Sequence, residues 1–187
     1  AMSGRSGLSS NMQVGNIAAL ALDESIAFRV RWDGEPPPQQ DLYFRGPVLV
    51  NFDGREWSPL LPRLAQRFPP PRIIDPRLVG FGTPVSYEIT LEPHTRPWQL
   101  TPDGAVDPPQ SPTVRVAMTS DLQWLADRPV VDLVRYRARS HVDFRHGPAS
   151  RMSVLPEYTQ LPPGFNPRTL ELAATLVRET PGNDPAG

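Results

Sequence analysis

DLYFRGPVLVNFDGREW, residues 41–57, is the stretch of sequence that decides the fold. Residues 42–44 and 48–50 are two runs of strand-favouring side chains, and Gly46-Pro47 separates them. Asp53-Gly54 then carries the signal of a tight hairpin turn, and Arg55 and Trp57 alternate with Glu56 as in a half-buried returning strand. The stretch therefore predicts short strands joined by turns.

Alternation of apolar and polar residues predicts further strands at residues 26–32, 85–91, 113–118 and 130–144. The last run has about 15 residues, which is near the upper limit for a strand, so we expect a bulge or a bend within it. Proline supplies 25 of the 187 residues. Because helix interiors exclude proline, this composition favours strands joined by irregular loops over long helices.

A helix is predicted near the C-terminus, over residues 167–178. Asn166 is a good N-cap, Pro167 suits the first helical position, and an apolar face follows at helical spacing. That face consists of Leu170, Ala173, Ala174 and Val177. The predicted fold is mainly β, an antiparallel sandwich or open barrel of about seven to nine strands with one C-terminal α-helix. The predicted divisions are a flexible leader (1–16), a β domain (17–163), and a helix with a tail (164–187).

Several short pieces of this sequence, in order and spacing, resemble the TgpA-type family of bacterial transglutaminase-like membrane proteins. The pieces are FRVRWDG (28–34), PPP (36–38), LYFRGPVL (42–49) and FDGREW (52–57). We interpret the matching positions as structural; they are Phe28, Arg29, Arg31, Tyr43, Arg45, Gly46, Pro47, Asp53, Gly54, Arg55 and Trp57. The resemblance extends over about residues 8–180.

The resemblance implies a periplasmic part of an inner-membrane protein, in which the helix and tail at residues 164–187 lie at the entry to a downstream transglutaminase-like core. Enzymes of that type need a cysteine nucleophile, a histidine base and an aspartate or asparagine that orients the base. This chain has no cysteine. The resemblance therefore implies a non-catalytic platform that positions the core of the same polypeptide, the full-length protein being transglutaminase-like or a related thiol acyltransferase or protease.

A stripe of basic residues along the strand predicted at 130–144 is the candidate interaction surface. Its members are Arg135, Arg137, Arg139 and His141. Together with exposed tryptophans, it supports an alternative function, a module that binds a cell-envelope glycan or peptide. The other interpretation is a solvated strand face whose arginines pair with carboxylates such as Glu88 or Asp132.

Other classes of function have little support in this sequence. The net charge of −1 argues against nucleic-acid binding and against binding to an anionic membrane, so a membrane would be reached only through other segments. His141, Asp143 and His146 do not share one strand face, so we assign no metal site. A hydrolase would need two convergent carboxylates from candidates such as Asp53 or Glu88, and no motif supports one. No cofactor is expected.

Overall fold

The computed structural model describes residues 12–13, 24–59, 78–119, 121–147 and 161–179. Thirteen strands and one α-helix lie in these ranges. The strands are β1 (Met12–Gln13), β2 (Phe28–Trp32), β3 (Phe44–Arg45), β4 (Asn51–Phe52), β5 (Glu56–Ser58), β6 (Val79–Phe81), β7 (Val85–Leu91), β8 (Trp98–Gln99), β9 (Thr101–Pro102), β10 (Val116–Met118), β11 (Trp124–Ala126), β12 (Val134–Ser140) and β13 (Asp143–Arg145), and the helix is α1 (Pro167–Glu179). A 3-10 turn covers Gln39–Asp41. Within the described ranges, no helix has the length and apolarity needed to cross a membrane.

The central sheet has the strand order β12-β7-β2, and both of its strand pairs are antiparallel. Its register places Arg31, Glu88 and Arg137 opposite one another across the three strands. Four smaller antiparallel sheets surround it: β1-β5-β4, β10-β11-β8, β13-β6 and β3-β9.

The core lies against one face of this central sheet. Tyr87, Ile89 and Leu91 on β7 have no exposed surface, and Tyr136 on β12 is 1% exposed. Buried and exposed residues alternate along β12, because successive side chains of a strand point to opposite faces. The apolar face packs against side chains of the smaller sheets and loops, such as Leu100 and Val114. The polar face of the same sheet therefore points away from the core.

The predicted fold class is confirmed: the described residues are mainly antiparallel β, with the helix at the C-terminal end. The strands are more numerous than seven to nine because several are only two or three residues long. They form separate sheets, and the sheets of the described ranges do not close into a barrel.

Some predicted strands have different boundaries or partners. Residues 48–50 are not a strand; instead β3 pairs with β9, and Val50 is buried with its N–H bonded to the Ser58 carbonyl (2.9 Å). The predicted bend in 130–144 falls at residues 141–142, where β12 ends, and β13 then pairs with β6. Ile26, predicted to be in the core, lies before β2 and is exposed.

Part of the predicted leader is also paired. Met12 and Gln13 form β1 opposite Trp57 and Glu56 of β5. Polar residues can add to a strand edge because the bonds come from the backbone, and here the Gln13 amide also donates to Glu56 (2.8 Å). The remaining residues of the 1–16 leader lie outside the described ranges.

Candidate functional site

The outward face of the central sheet carries five arginines, which we call the arginine face. They come from the two outer strands, β2 and β12, and point outward because they alternate with half-buried or buried residues. The members are Arg29, Arg31, Arg135, Arg137 and Arg139. The structure thus places three of the four predicted stripe residues together and adds two arginines of the family motif.

Each arginine of this face has a carboxylate neighbour. Arg29 pairs with Glu92 at 2.5 Å, Arg139 with Asp107 at 2.7 Å, and Arg137 with Asp33. Arg31 and Arg135 share Glu88, at 3.4 and 3.8 Å. Of the two carboxylates named as examples of partners, Glu88 and Asp132, Glu88 is the one that pairs with arginines of this face, so the interpretation of a paired, solvated strand face describes this surface.

These ion pairs leave little charge for an anionic ligand. Five arginines face four carboxylates, which is a net charge of about +1 on the face. The arginine side chains are 52–72% exposed, and exposed pairs of this kind stabilise a protein by only about 0.2–1 kcal/mol each. A ligand phosphate or carboxylate would have to compete with partners that are already in place.

His141 does not extend the arginine face. β12 ends at Ser140, and the His141 ring turns toward β6, where Nδ1 lies 3.0 Å from the Phe81 carbonyl. A Cβ on Gly80 would overlap that ring, so the glycine makes room for it. The His141 N–H also donates to the Gly104 carbonyl (3.0 Å). Its role in the structure is therefore to fasten the end of β12.

Two tryptophans that the alternative function would need at the surface are buried, as core packing requires. Trp98 and Trp124 are buried, at 8% and 5% exposure, and lie on the neighbouring strands β8 and β11. Trp57 is half-buried and stacks on Phe52 with centroids 4.7 Å apart, and Trp32 meets the edge of Tyr87 at 5.2 Å. Aromatic rings bury large apolar areas, and in this small-sheet fold all four tryptophans are used for packing.

Arg45 of the family motif clamps β3 to the loop that follows β9. Its Nε and Nη2 donate to the two carboxylate oxygens of Asp103 at 2.8 and 2.6 Å. Both side chains are mostly buried, and the hydrogen bonds to Asp103 raise the pKa of Arg45 despite the burial. Next to it, the Gly46 carbonyl accepts a hydrogen bond from the Gln123 amide (3.2 Å). These contacts give the motif a structural role.

Asp53 closes the hairpin between β4 and β5. Its Oδ1 accepts hydrogen bonds from the backbone N–H groups of Glu56 (2.7 Å) and Arg55 (2.8 Å). These bonds lower the pKa of Asp53, so the carboxylate stays ionised and is a poor general acid. Asp53 therefore acts as a turn residue, and no second carboxylate of the described residues shares these hydrogen bonds.

The second candidate surface is α1, whose apolar side chains are exposed. No residue of the helix is buried. Leu170 and Val177, from the predicted face, are 39% and 55% exposed, and Leu172 and Leu176 are 59% and 54% exposed. At about 100° per residue, these four with Ala173 and Ala174 cover roughly 200° of the helix circumference. We call these six residues the helix surface.

An apolar arc this wide is typical of a helix that packs against other protein on more than one side. The apolar face predicted from the sequence contains four of these residues and lacks Leu172 and Leu176. Their spacing of four residues was the signal that could have found them.

Metal binding has no support in the described residues, where no three His, Asp or Glu side chains converge. His94, the third histidine, is buried; its Nε2 lies 3.1 Å from the Trp98 carbonyl and its Nδ1 accepts the Arg96 N–H (3.2 Å). Burial lowers the pKa of His94, which favours the neutral ring. This histidine is a structural residue of the loop before β8.

Comparison with known proteins gives three kinds of match. The family described as the TgpA N-terminal domain matches residues 1–145. A protein-glutamine gamma-glutamyltransferase of Pseudomonas aeruginosa is 30% identical over 181 residues, which are 92% of this chain and 24% of that protein. Two crystal structures of the periplasmic domain of TgpA from Pseudomonas aeruginosa, one bound to ethylmercury, align with TM-scores of 0.77 and 0.78 at 28% identity. Each alignment covers 94% of this chain, and 58% or 57% of the solved chain. The chain thus spans about a quarter of the curated relative.

Proposed function

Because the chain belongs to the TgpA N-terminal domain family, we propose that it is the non-catalytic platform of a larger, membrane-anchored transglutaminase-like protein. The domain is periplasmic, like both solved relatives. In this proposal it holds a downstream catalytic core of the same polypeptide at a fixed position, and the chemistry belongs to that core.

The helix surface is the observation that carries this proposal. A helix at the end of the domain exposes Leu172 and Leu176 by more than half, although a soluble surface helix normally buries its apolar face. The length of the relatives supports the same conclusion, since about three quarters of the curated protein lies outside the match. The occupant we propose for the helix surface is the downstream core.

The chemistry of the chain supports a non-catalytic role. It has no cysteine, and acyl transfer through a thioester requires one. Of its carboxylates, Asp53 serves as a turn residue, and Glu88 serves two arginines. The strongest polar contacts of the described residues therefore hold strands and loops together.

Calorimetric titration of this chain with the separately produced downstream domain tests the proposal. We expect saturable binding, because burial of the helix surface removes apolar area from water. The double substitution Leu172→Ser with Leu176→Ser should weaken binding at least tenfold. It changes exposed residues of α1, so the β domain keeps its fold.

The matched control alters the other candidate surface. Arg137→Ser with Arg139→Ser removes two charges of the arginine face and leaves α1 unchanged. We expect this variant to bind as the unsubstituted chain does. Loss of binding in the arginine variant alone would move the interface to the arginine face, and equal binding by all three chains would overturn the role of the helix surface.

A further inference from the structure

A single aromatic side chain connects α1 to the hairpin of the family motif. Phe165 lies two residues before Pro167, the first residue of the helix. Its ring rests on Gly54, in the turn between β4 and β5. A Cβ added at Gly54 would overlap three carbons of the ring, Cγ, Cδ1 and Cδ2, the last at 2.7 Å. Gly54 also has a φ of +105°, which favours glycine. The glycine is thus needed for the turn and for the contact with the ring.

The turn under the ring is held rigidly. The Asp53 carboxylate accepts two backbone N–H groups at 2.7 and 2.8 Å, and the Asp53 N–H donates to the Glu56 carbonyl (3.1 Å). On the strands behind the turn, Phe52 and Trp57 stack with an interplanar angle of 24°. Phe165 therefore rests on a preformed surface that does not need to rearrange.

A connection of one residue joins the ring-bearing Phe165 to the helix. Only Asn166 separates Phe165 from α1, and its φ is +52°, in the left-handed region that asparagine adopts more readily than most residues other than glycine. The Asn166 carbonyl accepts hydrogen bonds from the N–H groups of Thr169 (3.0 Å) and Leu170 (3.1 Å). With so short and so constrained a connection, fixing the ring fixes the start and the direction of α1.

We propose that the contact of Phe165 with Gly54 is a joint that sets the direction in which α1 leaves the β domain. The contact buries only part of the ring, since Phe165 remains 38% exposed. The consequence for the catalytic core rests on the proposed function: by holding α1, the joint presents the helix surface to that core in one orientation. Gly54 and Phe165 are positioning residues in this sense.

The joint can be tested on the chain by itself. Because the chain has no cysteine, the pair Arg135→Cys and Leu172→Cys accepts spin labels only on β12 and α1. Double electron–electron resonance then measures the distance between the two labels. We expect one narrow distance distribution in this background, and Phe165→Ala should broaden it at least twofold.

A substitution at Gly54 tests the same contact through the residue that the ring covers. Gly54→Ala should shift or broaden the distribution, because the new Cβ displaces the ring. Gly82→Ala is the matched control: Gly82 has a φ of +70°, so alanine is strained there too, but no atom lies within 4 Å of the added Cβ. Near-UV circular dichroism checks that the β domain of each variant remains folded, and Phe165→Ala keeps the test valid if Gly54→Ala does not fold.

The outcomes separate the joint from the proposed function. An unchanged distribution in Phe165→Ala would overturn the joint, and so would equal broadening by Gly82→Ala and Gly54→Ala. Titration with the downstream domain is read independently: if that domain binds, Phe165→Ala should lower its affinity about tenfold. Failure of the unsubstituted chain to bind would contradict the platform and leave the joint standing on the distance measurement.

Discussion

The clamp between Arg45 and Asp103 gives the sharpest prediction of stability. Arg45→Met removes two charge-assisted hydrogen bonds of 2.8 and 2.6 Å between β3 and the loop after β9. It leaves the Asp103 carboxylate, whose side chain is 16% exposed, without its cation. Methionine keeps most of the apolar stem of arginine, so the substitution tests mainly the polar contacts.

The expected loss follows from the geometry. A hydrogen bond to a charged group contributes about 1.5–3 kcal/mol, and two bonds from one guanidinium to one carboxylate are not independent. Water reaches part of Asp103 in the variant and recovers some of the lost solvation. We therefore expect a decrease of about 2–3 kcal/mol in the free energy of unfolding.

Urea denaturation at pH 7 measures this loss, with Arg115→Met as the matched control. Arg115 pairs with Asp127 at 3.3 Å but is 93% exposed, so its loss should be below about 1 kcal/mol. Arg45 also lies over the ring of Tyr43 at 5.6 Å, so Asp103→Leu and the double variant are needed to isolate the pair. A coupling energy of about 1–2 kcal/mol is expected. Equal losses for Arg45→Met and Arg115→Met, with no coupling, would refute the reasoning.

Three further predictions concern the core and its titrating groups. Ile89→Ala should lower the free energy of unfolding by about 2–5 kcal/mol, because Ile89 is fully buried. In the control Val131→Ala, at an exposed site, denaturation should show a change below about 0.5 kcal/mol in the same free energy. Similar losses in the two variants would contradict the assignment of Ile89 to the core. Burial raises the pKa of Tyr136 well above its usual value, so its contribution to stability is complete below about pH 10 and is lost as the pH rises further. The midpoint temperature of thermal unfolding should therefore fall less steeply above about pH 10 in Tyr136→Phe than in the unsubstituted chain. Equal slopes of midpoint temperature against pH in the two proteins would count against this. Burial lowers the pKa of His94 below 6.5, so the stability it contributes is complete above that value and is lost as the pH falls toward the folded-state pKa. His94→Asn keeps an acceptor for the Arg96 N–H but cannot take up the proton. The free energy of unfolding, measured by denaturation between about pH 7 and 5, should therefore depend less steeply on pH in this variant. An unchanged pH dependence would show that His94 is not its cause.

Strong alternation made the central sheet predictable from the sequence. In β7 and β12, every second residue is buried against the same core, so the period of two appears directly in the sequence. Glu88 could be named as a cross-strand partner of the arginines for the same reason, since a regular sheet leaves few choices for an outward carboxylate. The C-terminal helix was predictable from its spacing of apolar residues.

The pairing of short strands with distant partners was not predictable. β3 and β9 are two residues long and lie more than fifty residues apart, so neither carries a period that could be seen. The side-chain contact beside this pair joins Arg45 to Asp103, which meet only in the folded chain. The joint was hidden for a similar reason: Asp53-Gly54 read as a hairpin turn, and nothing in the sequence indicated that Phe165 would rest on it.

The two candidate surfaces differ in what a partner would gain by covering them. Each arginine of the arginine face already has a carboxylate, so covering these pairs would cost their hydration without forming new ones. The helix surface has no such cost. Its four large side chains are 39–59% exposed, and full burial of one is worth about 1.5–3 kcal/mol, so covering the rest of their area would contribute about 3–6 kcal/mol in total. A partner that binds this domain through the hydrophobic effect therefore gains more at α1 than at the arginine face, and in our proposal the joint at Gly54 determines where that partner sits.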